Sequence, residues 1–122
     1  MAKRVLIVDD AIFMRNMIKD IFAGSGFEVV GEAANGLEAV EKHKELRPDL
    51  TTMDIVMPFK SGIEATREIV KLDGDALIVM CSALGQESLV MEAIEAGASD
   101  FIVKPFKSED VLAVVKKVLG EP

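Results

Sequence analysis

Five polar or charged positions in this 122-residue chain stand at the ends of apolar runs. Asp9 and Asp10 follow Val5-Leu6-Ile7-Val8, Asp54 falls late in the run from Leu50 to Val56, Ser82 follows Ala76 to Cys81, and Lys104 follows Phe101-Ile102-Val103. If the apolar runs are parallel strands, all five residues arrive at one crevice, outside the carboxyl ends of the sheet, where open α/β sheets bind ligands. Three carboxylates gathered there repel one another and are stable in ionised form only beside a cation. Oxygen ligands without a neighbouring His or Cys select a hard divalent ion, and Mg²⁺ suits one or two carboxylates completed by phosphate oxygens and water. Lys104 is then a point charge for a phosphoryl oxygen and Ser82 a short hydroxyl donor. The chemistry implied is phosphoryl transfer to an aspartate, driven by positioning and charge neutralisation.

The elements that must position these residues are readable as periodicity. The runs at 5–8, 27–30, 50–56, 76–81 and 101–103 are too short for helices and mostly continuous, as in strands buried on both faces. Between them lie helical segments. Met14, Met17, Ile18 and Ile21 follow i, i+3, i+4, i+7, with Gly24-Ser25-Gly26 as the stop. Asn35 with Glu38 and Ser61 with Glu64 have capping-box spacing, and Ser108 before Glu109 and Asp110 marks another helix start. A helix from about Gln86 to Ala96 is predicted to bury Leu89, Val90, Ala93 and Ile94 and to end at Gly97. The alternation βαβαβαβαβα requires a doubly wound parallel sheet with helices on both faces. One domain over 1–122 is expected, and the end of the chain two residues past Gly120 leaves no effector domain expected after it.

Composition narrows the function classes. Half of the residues are apolar and 29% charged, which excludes disorder and disulfide-dense mini-domains. A net charge of −7, with neither Trp nor Tyr, argues against nucleic acid and against an anionic membrane surface, because both need a basic footprint. The amino terminus has no apolar stretch of signal-peptide length and no run long enough to span a bilayer. Cys81 reads as a small buried hydrophobe in a reducing compartment, so the cytoplasm is the expected location. His43, the single histidine, lies in the polar stretch Glu41 to Glu45 and is expected on the solvated surface, not as a phosphodonor.

The segments KRVLIVDDAIFMR, MDIVMP, CSA and DFIVKPF together resemble the receiver domain of two-component response regulators, and the whole chain is similar to the single-domain, CheY-like chemotaxis regulators. The resemblance implies a flavodoxin-like five-stranded sheet of order 2-1-3-4-5. It makes Asp54 the phosphoacceptor, Asp9 and Asp10 the acids that hold Mg²⁺ together with Asp54, and the backbone carbonyl of Val56 a further metal ligand. Ser82 becomes the switch hydroxyl, Lys104 the residue that contacts the phosphoryl group, and Phe101 the switch aromatic, without the hydroxyl that a Tyr would bring; the Lys104-Pro105 bond is implied to be cis. A histidine kinase is the implied phosphodonor. The implied output is a downstream motor or adaptor protein bound on the face of helix four, strand five and helix five, with Met91, Phe101 and Leu112 as apolar candidates. A monomer that is not a turnover enzyme is expected, in chemotaxis control or as a stand-alone phosphorelay receiver of another pathway.

Two other readings fit less well. A haloacid-dehalogenase-type phosphatase sets its two aspartates two apart after the first strand, whereas Asp9 and Asp10 are adjacent and the third acid lies on strand three. An FMN-binding module needs a Ser/Thr-rich phosphate loop where this chain has two negative charges. Val56 and Leu84, two residues after Asp54 and Ser82, are apolar, so neither can orient a hydrolytic water. Slow intrinsic dephosphorylation, and a separate phosphatase supplying its own amide or carboxylate, follow as expectations.

Overall fold

Near-continuous apolar runs become the inner strands of the computed structural model, which describes residues 2–121. The strands are β1 (Lys3–Val8), β2 (Phe27–Ala33), β3 (Leu50–Asp54), β4 (Ile78–Ser82) and β5 (Asp100–Val103). The helices are α1 (Ile12–Ala23), α2 (Gly36–Leu46), α3 (Gly62–Leu72), α4 (Glu87–Glu95) and α5 (Ser108–Leu119). All strand pairs are parallel, in the order β2-β1-β3-β4-β5, as the resemblance implies.

Successive side chains on a strand point to opposite faces, so each inner strand feeds two cores. Leu6 and Val8 pack with Met53, Ile69, Met80 and Ala93 on the side of α2, α3 and α4. Val5 and Ile7 pack with Ile18, Phe22, Val79, Val111 and Val115 on the side of α1 and α5. β3 and β4 are buried at every position, which is why they read as unbroken apolar or small-residue runs. Asp54 ends β3, so Ile55 and Val56 lie beyond the strand that the sequence extended through them.

Of the two expected capping boxes, the one at Ser61 forms in full and the one at Asn35 only in part. The Ser61 hydroxyl accepts from the Glu64 N–H while the Glu64 carboxylate accepts from the Ser61 N–H. Asn35 caps α2, and Glu38 reaches back one residue further than expected, to the Ala34 N–H. α5 departs from expectation, because the extended residue ahead of it is Lys107 and Ser108 is already helical. The Lys107 carbonyl accepts from Asp110 and Val111, which moves the helix start one residue forward of the Ser108 cap. On α4 Val90 and Ala93 are buried and Leu89 partly so, while Ile94, expected in the same stripe, is 41% exposed.

His43 is the largest correction: it is buried, not solvated. It sits four residues after Ala39, within the inward stripe of α2, so helical period and not local polarity decides its position. Its Nε2 lies 2.9 Å from Oδ2 of Asp73, the residue that ends α3. A carboxylate can only accept, so Nε2 donates and the pair ties the carboxyl ends of α2 and α3 together. The His43 hydrogen bond is the chief cause holding the Asp73 carboxyl below its ordinary range, so its stabilising effect is present at neutral pH and fades as acid protonates Asp73. Nδ1 of His43 has no partner among the described residues. Asp73→Ala therefore leaves a buried imidazole with neither nitrogen paired and should lower unfolding free energy by about 2 kcal/mol at neutral pH. Urea unfolding checks this, and an unchanged midpoint would show the pair to be inconsequential.

Candidate functional site

The crevice at the carboxyl end of the sheet is built from four chain segments. β1 runs into the β1–α1 loop with Asp9 and Asp10, β3 ends on Asp54, β4 ends on Ser82, and the β5–α5 loop opens with Lys104. One carboxylate oxygen from each of Asp9, Asp10 and Asp54 lies within 4.8 Å of the others. Asp9 and Asp54 are buried while Asp10 is exposed, so the cluster opens to solvent on the Asp10 side. Lys104 Nζ stands 3.3 Å from Oδ2 of Asp9 and 3.3 Å from Oδ1 of Asp54, bridging the two buried acids. The Lys104-Pro105 bond is cis, as the resemblance implies.

Close packing beneath the cluster demands particular residues. The Gly62 N–H donates to the Ile55 carbonyl at 2.8 Å, and a Cβ at position 62 would lie 2.0 Å from the Asp54 carbonyl oxygen. Glycine is required there for α3 to start against the strand end that carries Asp54. Asp54 is further held by the Ile55 N–H, 3.0 Å from its Oδ1.

Electrostatics report the crowding of negative charge. Burial, and then the Asp9 carboxylate, push the Asp54 carboxyl up from 3.8 to about 6, with Lys104 opposing. Burial alone would lower the Lys104 ammonium, but Asp54 and Asp9 outweigh it and hold Lys104 above its ordinary value. Three acids against one ammonium leave a net negative pocket, and oxygen donors grouped so closely fit a hard divalent cation such as Mg²⁺.

The remaining positions named by the sequence take distinct places. Ser82 is buried, one residue past the Asp54–Cys81 register pair, with its hydroxyl 3.5 Å from the Ile102 carbonyl. Phe101 is on the edge strand and 40% exposed. Val56 and Leu84, in the loops after β3 and β4, are exposed at 56% and 77%. Cys81 is buried and inert, its thiol pushed up to about 12 by burial.

Arg15, Glu32 and Lys19 bear on the site and are not singled out by the sequence. Arg15 donates from Nη1 to the Asp9 carbonyl at 2.8 Å and from Nε to Glu32 at 3.0 Å. The available signal was Arg15 and Lys19, one turn apart on α1 and both able to reach the end of β2.

Comparison with known proteins places this geometry in a family. The family model of the response regulator receiver domain matches residues 5–116. The chemotaxis protein CheY of Thermotoga maritima is 61% identical over 97% of this chain and 98% of its own length. CheY of Bacillus subtilis is 61% identical over 98% of this chain and all of its own length. The structure of a CheX-CheY-BeF3-Mg+2 complex from Borrelia burgdorferi superimposes with a TM-score of 0.91 at 42% identity, covering 95% of this chain and 88% of that one. The chain belongs to the response regulator receiver domain family, in which phosphorylation and Mg²⁺ are general.

The raised Asp54 value has a thermodynamic sign. Between 3.8 and about 6 the folded state binds more protons than the unfolded chain, so stability falls as pH rises through that window and stays reduced above it. Without divalent cation, Asp54→Asn should raise unfolding free energy near neutral pH by about 1 kcal/mol, a figure reduced for solvent screening at the open side. The gain should vanish near pH 4 and shrink when Mg²⁺ is added. Paired urea unfolding curves test it, and a variant less stable than the parent at neutral pH would contradict the charge argument.

Proposed function

We propose that this protein is the receiver of a two-component pathway controlling chemotaxis, taking a phosphoryl group from a histidine kinase onto Asp54. One observation carries the reading: a lysine ammonium set between two buried aspartates, with a third acid at the solvent edge. Asp9, Asp10, Asp54 and the Val56 carbonyl would hold Mg²⁺, which when bound supplies charge neutralisation for the phosphoryl oxygens. An Asp54 carboxylate oxygen attacks phosphorus, the bond from phosphorus to the donor's imidazole nitrogen breaks, and the donor leaves as neutral imidazole after taking up a proton. Lys104 contacts a phosphoryl oxygen with its ammonium. Ser82 turns its hydroxyl from the long contact with the Ile102 carbonyl toward the same group.

The signal leaves through α4, β5 and α5. A cavity of about 250 Å³ lies between the β4–α4 loop, α4 and β5, lined by Leu84, Val90, Met91, Phe101 and Val103. An aromatic ring at its edge has space to move inward, which would alter the surface offered to a motor or adaptor protein. No helix among the described residues is long and apolar enough to cross a membrane. The reading is of a monomeric, single-domain switch acting in the cytoplasm and not of a turnover enzyme. The high identity to CheY proteins favours chemotaxis over another phosphorelay.

Incubation with Mg²⁺ and acetyl phosphate should add one phosphoryl group to the intact mass. Asp54→Asn should abolish the gain, and undiminished labelling of that variant would overturn the assignment. Val56 and Leu84 are exposed and apolar; standing two residues after Asp54 and Ser82, they would border the phosphoryl group without a side chain that can orient water, so the phosphorylated protein should be long-lived and depend on a separate phosphatase for fast turnover. Val56→Asn combined with Leu84→Glu should accelerate first-order phosphate loss by about tenfold or more at saturating Mg²⁺. Equal rates would mean that the backbone alone positions the water.

A further inference from the structure

Asp9 is the most constrained residue of the acidic cluster, because every one of its polar atoms has a partner. Its N–H donates to the Ala33 carbonyl at 3.1 Å, its Oδ1 accepts from the Ala11 N–H at 2.9 Å, and its Oδ2 faces Lys104 at 3.3 Å. The fourth atom is the backbone carbonyl, which accepts from Arg15 Nη1 at 2.8 Å. That carbonyl belongs to the peptide joining Asp9 to Asp10, so its direction sets where the Asp10 side chain begins.

Asp10 needs such help. It is exposed, and its carboxylate has no hydrogen bond to the protein among the described residues, so its backbone is what aims it at Asp9 and Asp54. Arg15 is itself gripped. Its Nε is 3.0 Å from Glu32 Oε1, its side chain is only 15% exposed, and Lys19 Nζ lies 2.6 Å from the other oxygen of Glu32. Glu32 sits at the end of β2, where Ile7 is its register partner on β1, so the grip is anchored in the sheet that also carries Asp9. The guanidinium's planar fork lets one side chain donate in two directions at once, which an ammonium on a flexible stem does not reproduce.

We propose that Arg15 is a positioning residue for metal binding: clamped by Glu32, it holds the Asp9–Asp10 peptide so that the Asp10 carboxylate is aimed into the cluster. The inference rests on the reading above that Asp9, Asp10 and Asp54 hold Mg²⁺. Arg15 touches no reacting atom and acts only through the loop.

The proposal has a sign that simple charge does not share. A cation close to a divalent-ion site repels the ion, so removing Arg15 would tighten Mg²⁺ binding if its charge were what mattered. Loss of positioning weakens binding instead, typically by tenfold or more when a supporting hydrogen bond to a ligand is removed. The test is calorimetric titration of Mg²⁺ into the parent protein, Arg15→Met and Arg15→Lys, each verified as folded by circular dichroism. Arg15→Lys conserves charge and helix propensity while losing the fork, so it keeps the test informative should Arg15→Met fold poorly. Expected are a roughly tenfold weaker Kd for Arg15→Met and a several-fold weaker one for Arg15→Lys, both persisting at high salt where charge effects are screened. Binding equal to or tighter than the parent's in Arg15→Met, with Arg15→Lys unchanged, overturns the positioning role. A parent protein that does not bind Mg²⁺ would instead overturn the metal-site reading on which the proposal stands.

Discussion

Excess negative charge at the end of a parallel sheet is the constraint around which the rest of the molecule is arranged. Two buried aspartates and a third at the surface share one crevice with a single ammonium. Burial raises the cost of each charge, and the carboxylates repel one another, so the central Asp54 holds its proton more tightly than a free side chain would. The same imbalance makes the site receptive to a divalent cation and then to a phosphoryl group, whose oxygens need neutralising charge to approach an acid.

The scaffold shows how the tension is contained. Two hydrophobic cores clamp the inner strands, so the strand ends carrying Asp9, Asp54 and Ser82 cannot drift apart. Gly62 lets α3 begin in contact with the Asp54 carbonyl, and the Ser61–Glu64 capping box closes that helix end. On the other side, Arg15, Glu32 and Lys19 brace the β1–α1 loop. Val56 and Leu84, two residues after Asp54 and Ser82, are exposed and apolar, so their side chains offer no group to stabilise charge or to orient water. The site is thus packed from beneath and open to solvent on the Asp10 side.

Much of this was legible from residue order because the signals were periodic. Apolar runs ending in Asp, Asp, Ser and Lys imply a parallel sheet whose carboxyl ends converge, and the structure brings Asp9, Asp10, Asp54 and Lys104 together accordingly. What escaped depends on tertiary packing. His43 sits among charged neighbours in sequence yet points inward, because helical phase and not composition selects the buried face. Arg15 was not singled out, because its role appears only once α1 is laid beside the end of β2. Ile94 matches the apolar period of α4 yet stays partly open to solvent, at the margin of the buried stripe. Ser108 has the composition of a cap, yet the extended backbone of Lys107 starts the helix instead.

The charge account is tested most directly by following the Asp54 carboxyl carbon by NMR across a pH titration, without and with saturating Mg²⁺. The account predicts a midpoint near 6 in the metal-free protein, set by burial and by Asp9, and a clear fall once the cation shares the pocket. A metal-free midpoint at the ordinary aspartate value of about 3.9, unmoved by Mg²⁺, would contradict it.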